Sequence, residues 1–504
     1  MPALGQLPTE LLIVVFEHLD PKSLLVAATI CRLWNTLTRS PNFQYKVLLH
    51  RYSMVDGPAD AAWPVSRRLE SLRAFYARFS TLRWYKSYRI AMDPTNLWEL
   101  FSGVYAQAAM DENFIKFRQG LSPTLLTREK TWTIRVPVDI KDFSMDSFQD
   151  LAVVVASGGN RNTRPMHHIH FLSMADGQPH KLAKVPLFSE ESAVGRDAGC
   201  GITIQNQHIG ILFMGSDEAG VSSSELFIWN WKEGKRCFHL NSEGGYLLET
   251  FCFLSPQHVM VASRDRNPFN GGPTLASSLD VYDYSQSSDE VVPHRFLLPR
   301  GMNGMALDID ISCEAVPELN KDVGRPFYTS PHQRICVVSF FLFPGFNTGN
   351  VIFFTSSLLD YMREEPDMHI IPWNHWGNKT RVTGWRRDNS VYKIRTSGTR
   401  VVRFVPGNGP RVCNIQVCDF NPYAIPEQEK LEHVKQRYVE GPTDEVLIQR
   451  GILDEPISSQ LPYLETTTKG SFRHKYVMID HENIYLLGNS VSQSPERELE
   501  VLSF

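Results

Sequence analysis

Leu226-Phe227-Ile228-Trp229-Asn230-Trp231-Lys232-Glu233-Gly234 runs a short apolar, aromatic stretch straight into a polar turn. A run of this length, rich in aromatic and β-branched residues and closed by glycine, predicts a β-strand. The pattern recurs. His168-Ile169-His170-Phe171-Leu172 runs into Ala175-Asp176-Gly177, and Leu279-Asp280-Val281-Tyr282-Asp283-Tyr284 runs into Ser285. Phe171, Ile228 and Val281 hold equivalent places, 57 and 53 residues apart. A four-stranded propeller blade repeats every ~40–50 residues, so the spacing fits a degenerate repeat with insertions.

Further strands follow on either side. Asp150 to Ala156 ends at Ser157-Gly158-Gly159, and Gly201 to Ile204 and Gly210 to Phe213 flank Asn206-Gln207. Arg400 to Val405 and Arg411 to Val417 flank Gly407-Asn408-Gly409, a hairpin signal. Ile228-Trp229-Asn230-Trp231 and Val281-Tyr282-Asp283 resemble the end of a WD-type blade. The stretch after Trp98 would hold about seven or eight blades. A pair of β-sandwiches is the rival architecture.

Before residue 95 the apolar spacing is helical. Thr9 can cap a first helix that Pro8 leads into, with Leu11, Leu12, Val15, Phe16 and Leu19 at helical spacing. Asp20-Pro21 restarts the chain with a cap and a proline at the first helical position. Ser23, Leu24, Ala27 and Ala28 follow. A third helix carries Ile30, Leu33, Trp34 and Leu37, and Ser40-Pro41 stops it. A helical unit this small buries little core by itself and needs a further surface. Residues 63–92 then carry seven Lys and Arg against Glu70 alone. Leu69, Leu72, Phe75, Tyr76, Phe79 and Leu82 step at helical intervals, with the arginines mostly off that stripe. The favoured reading is a structural helix with a solvated basic face. Binding of nucleic acid or a membrane is the alternative.

Leu7-Pro8-x-Glu10-Leu11-Leu12-x-x-x-Phe16-x-x-Leu19-Asp20-Pro21-x-Ser23-Leu24-x-x-Ala27-x-x-Ile30-Cys31-Arg32-x-Trp34 resembles an F-box nearly position for position. The resemblance implies docking onto the Skp adaptor, and through it a cullin, by Leu7, Pro8, Leu11, Leu12, Phe16, Leu19, Pro21, Leu24, Cys31 and Trp34. Other motifs are similar to those of large fungal F-box families: Phe43-Gln44-Tyr45-Lys46 to Asp56-Gly57-Pro58, Leu82-Arg83-Trp84, Pro372-Trp373-x-x-Trp376-Gly377-x-x-Thr380-Arg381 and Val477-Met478-Ile479-Asp480. These inform architecture rather than chemistry. The expected chain is α+β and multidomain: an all-α F-box at 1–50, a helical linker at 51–95, and an all-β propeller-like domain at 96–504.

Composition is ordinary for a globular protein, with 42% hydrophobic and 21% charged residues and a net charge of −4 over 504 residues. That excludes a disordered chain, and it argues against wholesale binding to nucleic acid or anionic membrane. The longest apolar stretch, Ile335 to Phe346, contains Pro344 and is too short to span a bilayer. The N-terminus does not read as a secretory signal. Eight cysteines with no CxxC pair point to reduced thiols and a cytoplasmic or nuclear compartment, so the Asn378-Lys379-Thr380 sequon carries no weight.

Candidate chemistry is thin. His168 and His170 share a strand face beside His167, but zinc wants three or four ligands and no partner is evident. Satisfied or exposed strand histidines are the default. Asp308 and Asp310 alternate with Leu307, Ile309 and Ile311, as a half-buried strand requires. Asp480, His481 and Glu482 cluster at a turn. No GxSxG, HExxH or Walker-type loop occurs. The expectation is therefore a non-catalytic adaptor without cofactor or metal, holding an unidentified protein target. A scaffold with the Skp protein alone and a propeller enzyme are the alternatives.

Overall fold

The computed structural model describes residues 7–58, 63–93, 97–108, 113–120, 122, 129–158, 165–195, 198–216, 220–242, 246–265, 277–285, 291–299, 306–315, 325–342, 347–385, 395–409, 412–424, 426, 431–441, 459–474, 476–488 and 497–504.

Helices α1 (Thr9–His18), α2 (Pro21–Ile30), α3 (Arg32–Thr38) and α4 (Pro41–Arg51) open the chain. The Asp20 carboxylate accepts from the backbone N–H of Lys22 and Ser23, and Pro21 takes the first helical position, as expected. Three local expectations shift, the first being that Ile30 ends α2 rather than joining the third helix. Pro8, not Thr9, stands at the cap of α1, with no side-chain bond. Ser40-Pro41 ends α3 but also begins a fourth helix, because proline suits a first turn as well as it breaks an interior. Phe16, Leu24, Ala27 and Phe43 form the small core of these helices, with Leu19, Trp34 and Leu37 against it. Phe16 meets Trp34 edge-on at 5.2 Å and Phe43 at 5.8 Å.

Seven sheets follow, antiparallel except where Ile370–Ile371 pairs parallel with His294–Leu297 at the edge of one. Blade 1 uses Leu97–Phe101, Val104–Ala108, Phe114–Gln119 and Lys130–Arg135. Blade 2 uses Asp142–Asp146, Leu151–Gly158, Met166–Ser173 and Leu187–Glu191. Blade 3 uses Gly199–Gln205, His208–Ser216, Ser222–Asn230 and Lys235–Asn241. Blade 4 uses Tyr246–Phe253, His258–Asp265, Ser278–Asp283 and His294–Leu297. Blade 5 uses Ala306–Cys313, Ile335–Leu342, Asn347–Phe354 and Arg381–Trp385. Blade 6 uses Arg395–Ser397, Arg400–Pro406, Cys413–Asp419 and Tyr463–Thr468, with Val434–Val439 added at its edge. Blade 7 uses Tyr476–Ile479, Asn483–Gly488, Arg497–Ser503 and Lys86–Met92.

First strands of successive blades lie against one another around a common axis. This is a seven-bladed propeller, not a pair of sandwiches. Phe171, Ile228 and Val281 all fall in third strands, of blades 2, 3 and 4, so the loose repeat is a true one.

The ring closes by pairing Lys86–Met92 with Arg497–Ser503, from Lys86 opposite Ser503 to Met92 opposite Arg497. Residues 86–92 lie inside the stretch read as a helical linker. The helix there, α5, covers only Val65–Ser80, and Leu82 at φ 49° turns the chain out of it. Beyond that turn, side chains alternate between exposed and half-buried, which is strand periodicity.

α4 and α5 are welded to blades 6 and 7. Met54–Asp56 pairs antiparallel with Phe327–Thr329, a segment inserted after the first strand of blade 5. Tyr45 Oη donates to the Pro326 carbonyl at 2.6 Å, and Arg68 meets Asp56 at 2.9 Å. Gly57 packs so closely that a Cβ there would sit 2.0 Å from the Arg325 carbonyl oxygen. Phe75 lies among Phe79, Phe327 and His481, and Phe79 stacks on Phe504 at 4.2 Å. Arg400 covers the Phe79 ring at 4.4 Å. The arginines of α5 serve packing too: Arg67 covers Trp63 and Arg78 covers Tyr85.

Between blades 2 and 3, His167 is neither satisfied nor exposed, contrary to the default for strand histidines. It is fully buried, stacked on Phe213 at 4.0 Å, and neither ring nitrogen has a hydrogen bond. Burial, aided by Lys141, pushes its pKa down to about 4.

Three outcomes follow from this packing. Phe75→Ala should lower stability by about 3–5 kcal/mol in denaturant unfolding, through lost burial and the cavity left among three rings. A chain starting at residue 96 lacks the outer strand of blade 7 and should lose the single cooperative transition that a chain starting at Pro41 retains. His167 stays neutral when folded but protonates near 6.5 when unfolded, so its contribution holds above that pH and is lost as pH falls towards 4. His167→Leu should flatten that part of the thermal midpoint's pH profile, and an unchanged profile would refute the assignment.

Candidate functional site

The ten F-box positions divide by depth. Leu12, Phe16 and Leu24 are 0–1% exposed, so no partner reaches them and they support the surface from beneath. Leu19 and Trp34 are half-buried against the same core. Leu7 and Pro21 are half-buried at the two helix entries, while Pro8, Leu11 and Cys31 are exposed.

Around them lies apolar surface. α1 exposes Leu11, Val14 and Val15, which share one side by their spacing. α2 exposes Leu25, Val26 and Ile30, and α3 exposes Leu33. These seven are among sixteen large apolar side chains exposed in the described residues, concentrated in 23 positions of the chain. Such density marks an interaction surface rather than scatter. Val14, Leu25 and Val26 were not singled out from sequence. The signal was there: Leu11-Leu12-Ile13-Val14-Val15-Phe16 is apolar all round, and a small core uses only one stripe of it.

A second feature is a cavity of about 190 Å³ on the propeller axis, at the end that carries α5. Arg325, Tyr328, Glu314, Thr396 and His481 contribute to its wall. Arg325 donates to Ser102 Oγ at 2.9 Å and covers the Phe148 ring. The Glu314 carboxyl is pushed up to about 7, chiefly by burial, although it accepts from the Gly398 N–H at 2.6 Å. His481 is held well below the usual histidine range by burial and by Arg325 and Arg400 nearby. Asp480 accepts from the backbone N–H of Glu482 and Asn483 and from Tyr485 Oη. The Asp480-His481-Glu482 cluster is thus a tied turn between strands of blade 7.

The remaining candidates do not converge. His168 Nδ1 pairs with Ser189 Oγ at 2.9 Å, and His170 is half-buried. Asp310 lies on the expected strand, Ala306–Cys313, while the side chain of Asp308 falls outside the described residues. What sequence spacing missed is a meeting of Cys252, Cys313 and Cys336, 61 and 23 residues apart. Their sulfurs all lie within 4.8 Å of one another. Among the described residues no helix is long and apolar enough to cross a membrane.

Residues 4–50 match the F-box-like family model. No curated protein matches the chain in sequence. Among solved structures, the WD40 domain of SCAP from fission yeast is similar over 84% of this chain and 98% of its own, at 8% identity and a TM-score of 0.31. The β-propeller domain of the Trilobed protease from Pyrococcus furiosus is similar over 66% and 91%, at 9% identity and a TM-score of 0.27. The blade count rests on strand pairing in this chain itself. The chain carries an F-box-like domain at residues 4–50, followed by a seven-bladed β-propeller.

Proposed function

We propose that this protein is a substrate-recognition adaptor of a Skp–cullin–F-box ubiquitin ligase. The observation that carries the reading is the exposed apolar surface of α1–α3 on an F-box-like domain. Leu11, Val14, Val15, Leu25, Val26, Ile30 and Leu33 would be covered by the Skp protein, with Pro8 and Cys31 beside them. Through that adaptor the chain would reach a cullin. The propeller would hold the target protein, on the end away from the helices, since α4 and α5 already occupy part of the other end. The chain itself catalyses nothing in this reading. It raises the local concentration of a target at a conjugating enzyme. All eight cysteines are free thiols, the state expected in the cytoplasm or nucleus.

Leu11→Asp with Val26→Asp places two charges on the exposed face and none in the core. Co-purification of the Skp protein should fall at least about tenfold, with the unfolding midpoint unchanged. Leu12→Ala, in contrast, should cost about 2–5 kcal/mol of stability in the helical unit, with binding lost only through unfolding. Unaltered Skp recovery with the double variant would sink the reading. Skp recovered without cullin from cells would favour a scaffold instead.

A further inference from the structure

The three converging cysteines sit where blades 4 and 5 meet. Cys252 belongs to the first strand of blade 4. Cys313 ends the first strand of blade 5, and Cys336 lies directly opposite it on the second. All three are free thiols. Leu254, Met260, Val338 and Phe353 wall them off in an apolar cluster, and only Cys313 reaches the wall of the axial cavity.

The second observation is Arg334. Its side chain is 2% exposed, and its Nη1 lies 3.7 Å from Cys313 Sγ. Its other bonds go to backbone carbonyls: Pro331 at 3.1 Å, Leu254 at 2.9 Å, and Glu314. Among the described residues no carboxylate comes within 4.0 Å of it. A guanidinium buried without a counter-anion is costly. The buried Glu314 carboxyl feels Arg334 only beyond ion-pair distance, so the group in contact with the guanidinium that can carry negative charge is the Cys313 sulfur.

We propose that Cys252, Cys313 and Cys336 bind one Zn(II) as three thiolates, with water from the axial cavity completing a tetrahedron at the Cys313 side. Charge selects the ion. Zinc with three thiolates is singly negative, and Arg334 neutralises it. Cu(I) with three thiolates would leave a net negative charge in the apolar junction, which is expensive. Size agrees: Zn–S bonds of about 2.3 Å place tetrahedral sulfurs roughly 3.8 Å apart, so the triangle needs to close by about 1 Å at most. Loading replaces the thiol protons by the metal and releases up to three of them, so affinity rises with pH. The bound ion would bridge two blades. This inference is independent of the adaptor reading.

Full-length protein, loaded with zinc chloride under a non-thiol reductant and desalted, should hold about one zinc per chain by elemental analysis. Cys313→Ser, chosen because it is the least enclosed of the three, should reduce this to below roughly a tenth. Cobalt(II) in place of zinc should show thiolate-to-metal charge-transfer absorption that the variant lacks. Wild-type protein provides a check independent of variant folding. With zinc, Cys252, Cys313 and Cys336 should resist alkylation during mild unfolding, and a chelator should abolish that protection while the other five cysteines are unaffected. Zinc-free wild-type protein after loading, equal zinc in Cys313→Ser, or equal alkylation with and without chelator would each overturn the assignment.

Discussion

The pairing of Lys86–Met92 with Arg497–Ser503 is the constraint on which the rest of the structure depends. A propeller whose last blade lacks its outer strand leaves an open edge and an unsealed face. Here the closing strand comes from the N-terminal side, immediately after α5. The strand that completes the ring is therefore continuous with α5, which packs on blades 6 and 7. The position of the F-box-like domain is set by the same contacts that hold the propeller shut.

This coupling explains the motifs that carried no chemistry. Tyr45, Asp56, Gly57 and Pro58 are the joint: Tyr45 bonds to Pro326, Asp56 and Pro58 accept from Arg68, and Gly57 gives the clearance for Arg325. Leu82 supplies the turn that converts helix into closing strand. Between blades 4 and 5, Trp373 and Trp376 meet at 4.9 Å, and Trp376 Nε1 donates to the Leu297 carbonyl at 3.1 Å. Those two rings seal blade 5 against blade 4. The recurring residues are architectural because each fixes one element relative to another.

In the proposed adaptor reading, such rigidity has a direct use. Effective concentration depends on how narrowly the two bound partners are held relative to one another. α4 contributes Phe43 to the helical core and Tyr45 and Leu49 to the propeller contact, so one short helix joins both halves. Arg67 and Arg78 of α5 lie over aromatic rings, Arg68 lies beside Asp56, and Arg73 donates to Gln44 Oε1, so each arginine is engaged by a neighbour. The helix reads as a strut.

Local chemistry alone determined several features. Asp20-Pro21 starts a helix whatever surrounds it, because a carboxylate cap and a fixed proline φ act within one turn. The recurrence of Phe171, Ile228 and Val281 revealed the blade period, because each third strand needs the same apolar run before a turn. The F-box spacing was equally legible. Tertiary structure decided the rest. Lys86–Met92 reads as the tail of a helix until its partner, more than 400 residues away, draws it into a sheet. Leu11 and Leu12 look alike in sequence, yet one is half exposed and the other fully buried, because only Phe16, Leu24 and Phe43 in place define an inside. His167 and the Cys252–Cys313–Cys336 triangle carried no local signal, since burial and convergence come from strands that meet only when the blades pack.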